Sequence, residues 1–207
     1  MCYSPRPPIL GVHLRSARVD RRTGETAVTV DLTLDGTGET TVSTGVPFFD
    51  HMLDQLGRHA GFDLRIQTKG DLDVDAHHTV EDTGLALADA LKEALGDKAG
   101  INRYGFAVVP MEESLVQVAL DLSGRPYLAH DVPVPAAAIG EYDPALTNEF
   151  LRALTNKAGI SLHVKLLDGR DPHHIVEAEF KALARALGQA CALSGRAGLP
   201  STKGVLE

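Results

Sequence analysis

Two blocks of the sequence have the residue types and spacing of metal ligands: Asp75-Ala-His77-His78-Thr-Val-Glu81-Asp82 and Asp171-Pro-His173-His174-Ile-Val-Glu177-Ala178. Each opens a helix-like apolar run, with Asp75 or Asp171 placed to cap it and Pro172 suited to a first turn. On a helix, residues four apart share a face while neighbours diverge by roughly 100°. His77 with Glu81, and His173 with Glu177, can therefore each address one ion, while His78 and His174 point towards another. Imidazole and carboxylate without thiolate suit Mn, Fe(II), Co or Zn.

Aligning the chain on itself extends the ligand set. His77 recurs as His173 at an offset of 96, Leu34-Asp-Gly36 as Leu122-Ser-Gly124 at 88, and Ala60-Gly61 as Ala158-Gly159 at 98. At that last offset His51 falls opposite Glu149. One ion would then take His77, Glu81, His173 and Glu177, and a second His51, His78, Glu149 and His174, each keeping open positions for water or substrate. Gln55 and His59 follow His51 along one helix face and could line a pocket. Lys181, one turn beyond Glu177, joins Arg103, Arg125 and Lys203 as a basic set able to bind a phosphate dianion. No Gly-x-x-x-x-Gly-Lys or Gly-x-Gly-x-x-Gly stretch supports nucleotide binding.

These residues need elements to position them. Arg15 to Asp35 reads as two strands, with Val28 to Leu34 alternating cleanly, and Glu39 to Thr44 as a third. A helix follows from Pro47 to Arg58, a strand from Phe62 to Gln67, then the His77 helix. The second half repeats the order: strands over Tyr104–Val109 and Ser114–Leu122, a turn at Ser123–Pro126, a helix over Leu146–Lys157, a strand over Ile160–Leu166, then the His173 helix. The pattern predicts an α+β fold of two duplicated halves, each a mostly antiparallel sheet covered on one face by two helices. Residues 1–12 form an irregular tail, 13–98 the first repeat, and 99–207 the second repeat with a C-terminal tail.

The bulk properties narrow the function classes. The chain has 207 residues, 43% of them hydrophobic, which fits a globular protein with a sizeable core. No run approaches the ~18 apolar residues of a membrane span, and the N-terminus lacks the apolar core of a signal peptide. Cys2 and Cys191 are the only cysteines, as expected in a reducing, cytoplasmic setting. A net charge of −8 argues against general nucleic-acid binding, so an anionic substrate needs a local basic cluster.

The stretch Thr44-Gly-Val-Pro-Phe-Phe-Asp-His-Met-Leu-Asp-Gln-Leu56, both His-His-x-x-Glu blocks, Asp121-Leu-Ser-Gly-Arg-Pro126 and Ser201-Thr-Lys203 resemble the imidazoleglycerol-phosphate dehydratase family of histidine biosynthesis. The resemblance runs from about Arg15 to Val205. It implies a duplicated fold of the ribosomal protein S5 domain 2 type, two manganese ions per active site, and 24-subunit homo-oligomers with sites shared between chains. It places metal ligands at His51, His77, His78, Glu81, His173, His174 and Glu177. Substrate contacts fall on those residues and on Glu25, Gln55, His59, Arg103, Arg125, Lys181, Ser201 and Lys203. Where the family usually has a metal-binding histidine this chain has Glu149, a replacement that a fairly hard ion such as manganese tolerates.

The implied reaction is dehydration of D-erythro-imidazoleglycerol phosphate to imidazole-acetol phosphate. It removes an unactivated C–H proton beside the imidazole ring, so a carboxylate must move protons. Glu25 is the leading candidate, and Glu81 and Glu177 are also assigned catalytic roles. Two alternatives stand beside this. A metal-dependent hydrolase is one, although neither block reads His-Glu-x-x-His or His-x-x-Glu-His. A non-enzymatic assembly glued by metal ions is the other.

Overall fold

A computed structural model describes residues 14–135 and 137–206. The tail expected over residues 1–12 lies outside them. In the first half, strands β1 (Ser16–Arg22), β2 (Ala27–Thr33) and β3 (Thr40–Ser43) precede helix α1 (Pro47–Ala60), strand β4 (Asp63–Lys69) and helix α2 (His77–Leu95). In the second, β5 (Tyr104–Met111), β6 (Ser114–Asp121) and β7 (Tyr127–Asp131) precede α3 (Ala145–Ala158), β8 (Ser161–Asp168) and α4 (Pro172–Cys191).

Alternation makes the sheets. Val28, Val30 and Leu32 on β2, and Leu64 and Ile66 on β4, turn inward while their neighbours face out. The sheets have the same order, β1-β2-β4-β3 and β5-β6-β8-β7, antiparallel except for the last pair of each. The duplicated, mostly antiparallel halves are therefore as the sequence predicts. One strand was missed: β7 directly follows the Ser123–Pro126 turn. Its five residues are exposed or only partly buried, so it carries no clear alternation. It is the counterpart of β3.

Helices α1 and α2 cover the first sheet and α4, with α3, the second; α1 then packs on α4, and α2 on α3, so helices from the two halves meet between the sheets. Helix α1 buries Phe49, Met52, Leu53 and Leu56, and ends at Gly61 with φ 76°, a left-handed conformation that favours glycine. Glycine also permits a close approach of α4 to α1: a Cβ on Gly188 would stand 2.6 Å from the Ala60 carbonyl oxygen. Among the described residues no helix is long and apolar enough to cross a membrane.

Arg15 staples the start of the fold to its end. Its guanidinium donates to Asp35 Oδ2 and Oδ1 at 2.9 and 2.6 Å and to the Cys191 carbonyl at 2.7 Å. The hydrogen bond from Arg15 holds the Asp35 carboxyl below its usual range. A carboxylate with a lowered folded-state pKa adds stability above its unfolded value, and that stability is lost as pH falls through the lowered one. Asp35→Asn is therefore expected to cost about 0.5–1 kcal/mol at neutral pH, or about 2–4 °C in Tm, with the gap to wild type closing in acid. Thermal melts at pH 7 and pH 3 check this. An equal gap at both would remove the ion pair as its cause.

Candidate active site

The helix starts carry the chemistry because each His-His-x-x-Glu block begins a helix. Asp171 caps α4, accepting from the amides of His173 and His174, and Pro172 occupies the first turn. Asp75 accepts from the His77 amide at 2.7 Å. Helices α1 and α4 run parallel, with His51 beside Glu177 near their starts and Ala60 beside Gly188 near their ends. Helices α2 and α3 run parallel too: Gly84 abuts Phe150 and Ala153, and Asp89 pairs with Lys157 at 3.4 Å further along.

Glu177 is the centre of the better-formed cluster. Its side chain is only 7% exposed, yet its Oε2 lies 3.1 Å from His173 Nε2 and 3.5 Å from His51 Nε2. Oε1 takes a hydrogen bond from Lys181 Nζ at 2.7 Å. Burial pushes the Glu177 carboxyl up, but the Lys181 ammonium and the two imidazoles outweigh it and hold it below the usual carboxylate range. On the neighbouring face of α1, His59 Nε2 and Gln55 Oε1 are 2.9 Å apart. Burial, then the charges of Lys181 and Arg185, pull the His59 pKa down. The positive strip beside Glu177 thus comes from α4 and is read by α1.

The second cluster is looser. His77 and Glu81 lie 3.8 Å apart, both about two-fifths exposed. His78 and His174 point away from their neighbours, as the helical spacing requires, with adjacent rings nearly perpendicular. Each is held by a carboxylate: His78 Nδ1 by Asp71 at 3.0 Å and His174 Nδ1 by Glu113 at 2.8 Å. These contacts raise both histidine pKa values and leave Nε2 as the ring atom that each can offer elsewhere. Glu113 also accepts from the amides of Asp171 and Arg170, and its carboxyl is held far below the usual range.

The chain by itself does not bring together the two expected four-ligand sets. His51 joins His173 and Glu177, whereas no ion pair links His77 or Glu81 to them. Glu149 is bonded to Arg152 on its own helix and lines a cavity with His130 and Asn148. Among the described residues, no three His, Cys, Asp or Glu side chains of one chain are grouped so as to hold an ion. The basic set divides too. Lys181 belongs to the Glu177 cluster. Arg103 is bidentate on Asp121 at 2.7 and 3.0 Å and donates to the Pro200 carbonyl, beside the segment carrying Ser201 and Lys203. Arg125 lies in the turn between β6 and β7. Glu25 Oε1 is 3.8 Å from His78 Nε2.

An open cavity of about 870 Å³ borders His51, lined also by Phe48, Leu72, Asp75, Glu141 and Tyr142. Among the described residues neither Lys nor Arg lines it, and Asp75 and Glu141 make it unfavourable for a phosphate group. Sequence reasoning missed Asp71 and Glu113. Glu113 stands 88 residues after Glu25, the hairpin offset, so the internal repeat carried a signal for it. Asp71 sits in a loop with no such signal.

A duplicated α+β chain whose parallel helix starts present imidazoles against carboxylates has the groups of an acid–base enzyme. The comparisons make this specific: residues 44–187 match the family model for imidazoleglycerol-phosphate dehydratase. The chain belongs to that family, and is a hydro-lyase of histidine biosynthesis. It is 58% identical to the imidazoleglycerol-phosphate dehydratase of Parafrankia sp. strain EAN1pec, over 93% of this chain and 99% of that one. The corresponding protein of Acidothermus cellulolyticus is 58% identical over 98% of this chain and 96% of its own. The crystal structure of the Pyrococcus furiosus enzyme in complex with (S)-C348 superposes with a TM-score of 0.80 at 38% identity, covering 91% of this chain and 100% of that one. That of the Staphylococcus aureus enzyme gives 0.78 at 35%, covering 86% and 99%.

Proposed function

We propose that this chain converts D-erythro-imidazoleglycerol phosphate to imidazole-acetol phosphate at a site with two manganese ions, in a large homo-oligomer, of 24 subunits by the family resemblance, whose neighbouring chains complete each site. The observation that carries this is the convergence of His51 and His173 Nε2 on one oxygen of Glu177. The donor set fits a divalent ion. Two imidazoles and a carboxylate are borderline-to-hard ligands, and with Nδ1 held by Asp71 and Glu113 the Nε2 atoms of His78 and His174 would be the ones offered to an ion that a neighbouring chain completes. His77, Glu81 and Glu149 would serve the second ion, and Glu149 would have to leave Arg152 to do so. When bound, the ions supply Lewis acidity and a template for the imidazole ring.

The protein's own groups do the rest. Lys181 fixes the rotamer of Glu177, and Gln55 and His59 border the same face. Arg103, Arg125, Ser201 and Lys203 hold the phosphate. Glu25 takes the C–H proton and returns it to the departing hydroxyl, which leaves as water, and the resulting enol tautomerises to the ketone. A buried thiol, Cys191, pushed up to about 12 by burial, fits a reducing cytoplasm.

The test is turnover of imidazoleglycerol phosphate by chelator-stripped protein with and without added Mn²⁺, following the ketone product. Restored turnover is expected; equal turnover of the stripped protein would end the metal assignment. Lys203→Ala is expected to raise KM about 10–100-fold, the loss of a charge-assisted phosphate contact, while leaving metal content intact. Unchanged kinetics would remove Lys203 from the site.

A further inference from the structure

The β1–β2 and β5–β6 hairpins are equivalent in the two halves. The pairing of Arg22 with Ala27 recurs, 88 residues on, as Pro110 with Leu115, so Glu25 and Glu113 occupy the same turn position. Their carboxylates have different surroundings. Glu113 uses both oxygens on its own half, Oε2 for His174 at 2.8 Å and Oε1 for the amides of Asp171 at 2.8 Å and Arg170 at 3.2 Å. Those bonds also pin its turn. Glu25 has, among the described residues, one charged partner within 4 Å, His78 at 3.8 Å, and its side chain is 54% exposed. A carboxylate that must take and return a proton has to keep its oxygens available. Glu25 therefore cannot anchor its own turn as Glu113 does.

Asp82 provides the anchor. It follows Glu81 on α2 and is buried, with 7% relative exposure. Its Oδ1 accepts from Arg21 Nε and Nη2 at 3.0 and 2.9 Å, and its Oδ2 from the Thr26 hydroxyl, with the Thr23 hydroxyl at 3.4 Å. The Thr23 oxygen in turn accepts from the amides of Glu25 at 3.1 Å and Thr26 at 3.0 Å. A continuous chain of hydrogen bonds thus runs from α2 to the backbone that carries Glu25. The second half lacks it: the counterparts of Asp82 and Arg21 are Ala178 and Val109.

We propose that Asp82 is a positioning residue, holding the Thr23–Thr26 turn so that Glu25 faces His78 with its carboxylate free. This rests on the assignment of proton transfer to Glu25. The metal-loaded oligomer is the material for the test, with Asp82→Asn, Glu25→Gln and the double variant. A misplaced reacting group costs up to about 10²-fold, so Asp82→Asn is expected to lower kcat about 10–100-fold with KM and metal content within about twofold of wild type. Deuterium exchange of the peptide spanning residues 22–27 should accelerate. In the Glu25→Gln background Asp82→Asn should cost nothing more, since the two act as one unit.

Thr26→Val should reproduce the loss and Thr26→Ser, which keeps the hydroxyl, should not; this pair carries the test if Asp82→Asn fails to assemble. Unaltered exchange in the turn, losses that add fully in the double variant, or normal kcat in Asp82→Asn and Thr26→Val beside an impaired Glu25→Gln overturns the positioning role. Full turnover by Glu25→Gln overturns the proton-transfer assignment itself, whatever Asp82→Asn does.

Discussion

Glu177→Gln is expected to reduce turnover on the order of 10²–10³-fold or more and to strip manganese at concentrations that saturate wild type. The carboxylate sits between His51, His173 and Lys181, so one substitution disturbs three neighbours. The amide nitrogen of glutamine would donate where both imidazole Nε2 atoms must face an acceptor or an ion, and neutrality leaves Lys181, 22% exposed, without its counter-charge. Metal content by elemental analysis and affinity by calorimetry report the ligand role separately from catalysis. A fully loaded, fully active Glu177→Gln protein would dismiss the cluster as a structural ion pair.

Removal of metal is expected to have the second large effect, on assembly as well as on activity. Within one chain His51 and His173 approach Glu177, and His77 approaches Glu81, yet among the described residues no three such groups are disposed to hold an ion unaided. With Nδ1 held by Asp71 and Glu113, the Nε2 atoms of His78 and His174 are the ones an ion shared with a neighbouring chain would take. An ion bound only by the assembled state stabilises it by mass action, about 4 kcal/mol per site at a free concentration 1,000 times Kd. Chelation should therefore shrink the particle seen by light scattering and lower its Tm, with Mn²⁺ restoring both. Glu149→Ala should ease this dissociation, whereas Glu149→His should resist it. A stripped particle of unchanged size and thermal stability defeats the shared-site model. Wild-type behaviour of Glu149→Ala alone would remove only Glu149.

The sequence by itself determined much of this protein. Period-3.6 and period-2 patterning located α1 to α4 and seven of the eight strands, because each amphipathic face is a local property of consecutive residues. The His-His-x-x-Glu spacing showed that His173 and Glu177 share a face while His174 diverges, since helix geometry alone decides that. Recurrence at offsets of 88 to 98 disclosed the duplication.

Only the tertiary structure decided which face meets which. Sequence alignment of the halves grouped His51 with His78, Glu149 and His174, whereas packing of α1 along α4 delivers it to His173 and Glu177. Strand β7 escaped notice because its pairing with β8, rather than any alternation of its own, makes it a strand. Asp71, Asp82 and Glu113 look in sequence like ordinary acidic residues of a helix or loop. Their roles come from partners 7, 61 and 61 residues away, in His78, Arg21 and His174. Local periodicity specifies how a residue faces its own element; the long-range burial that docks one element on another specifies what it faces there.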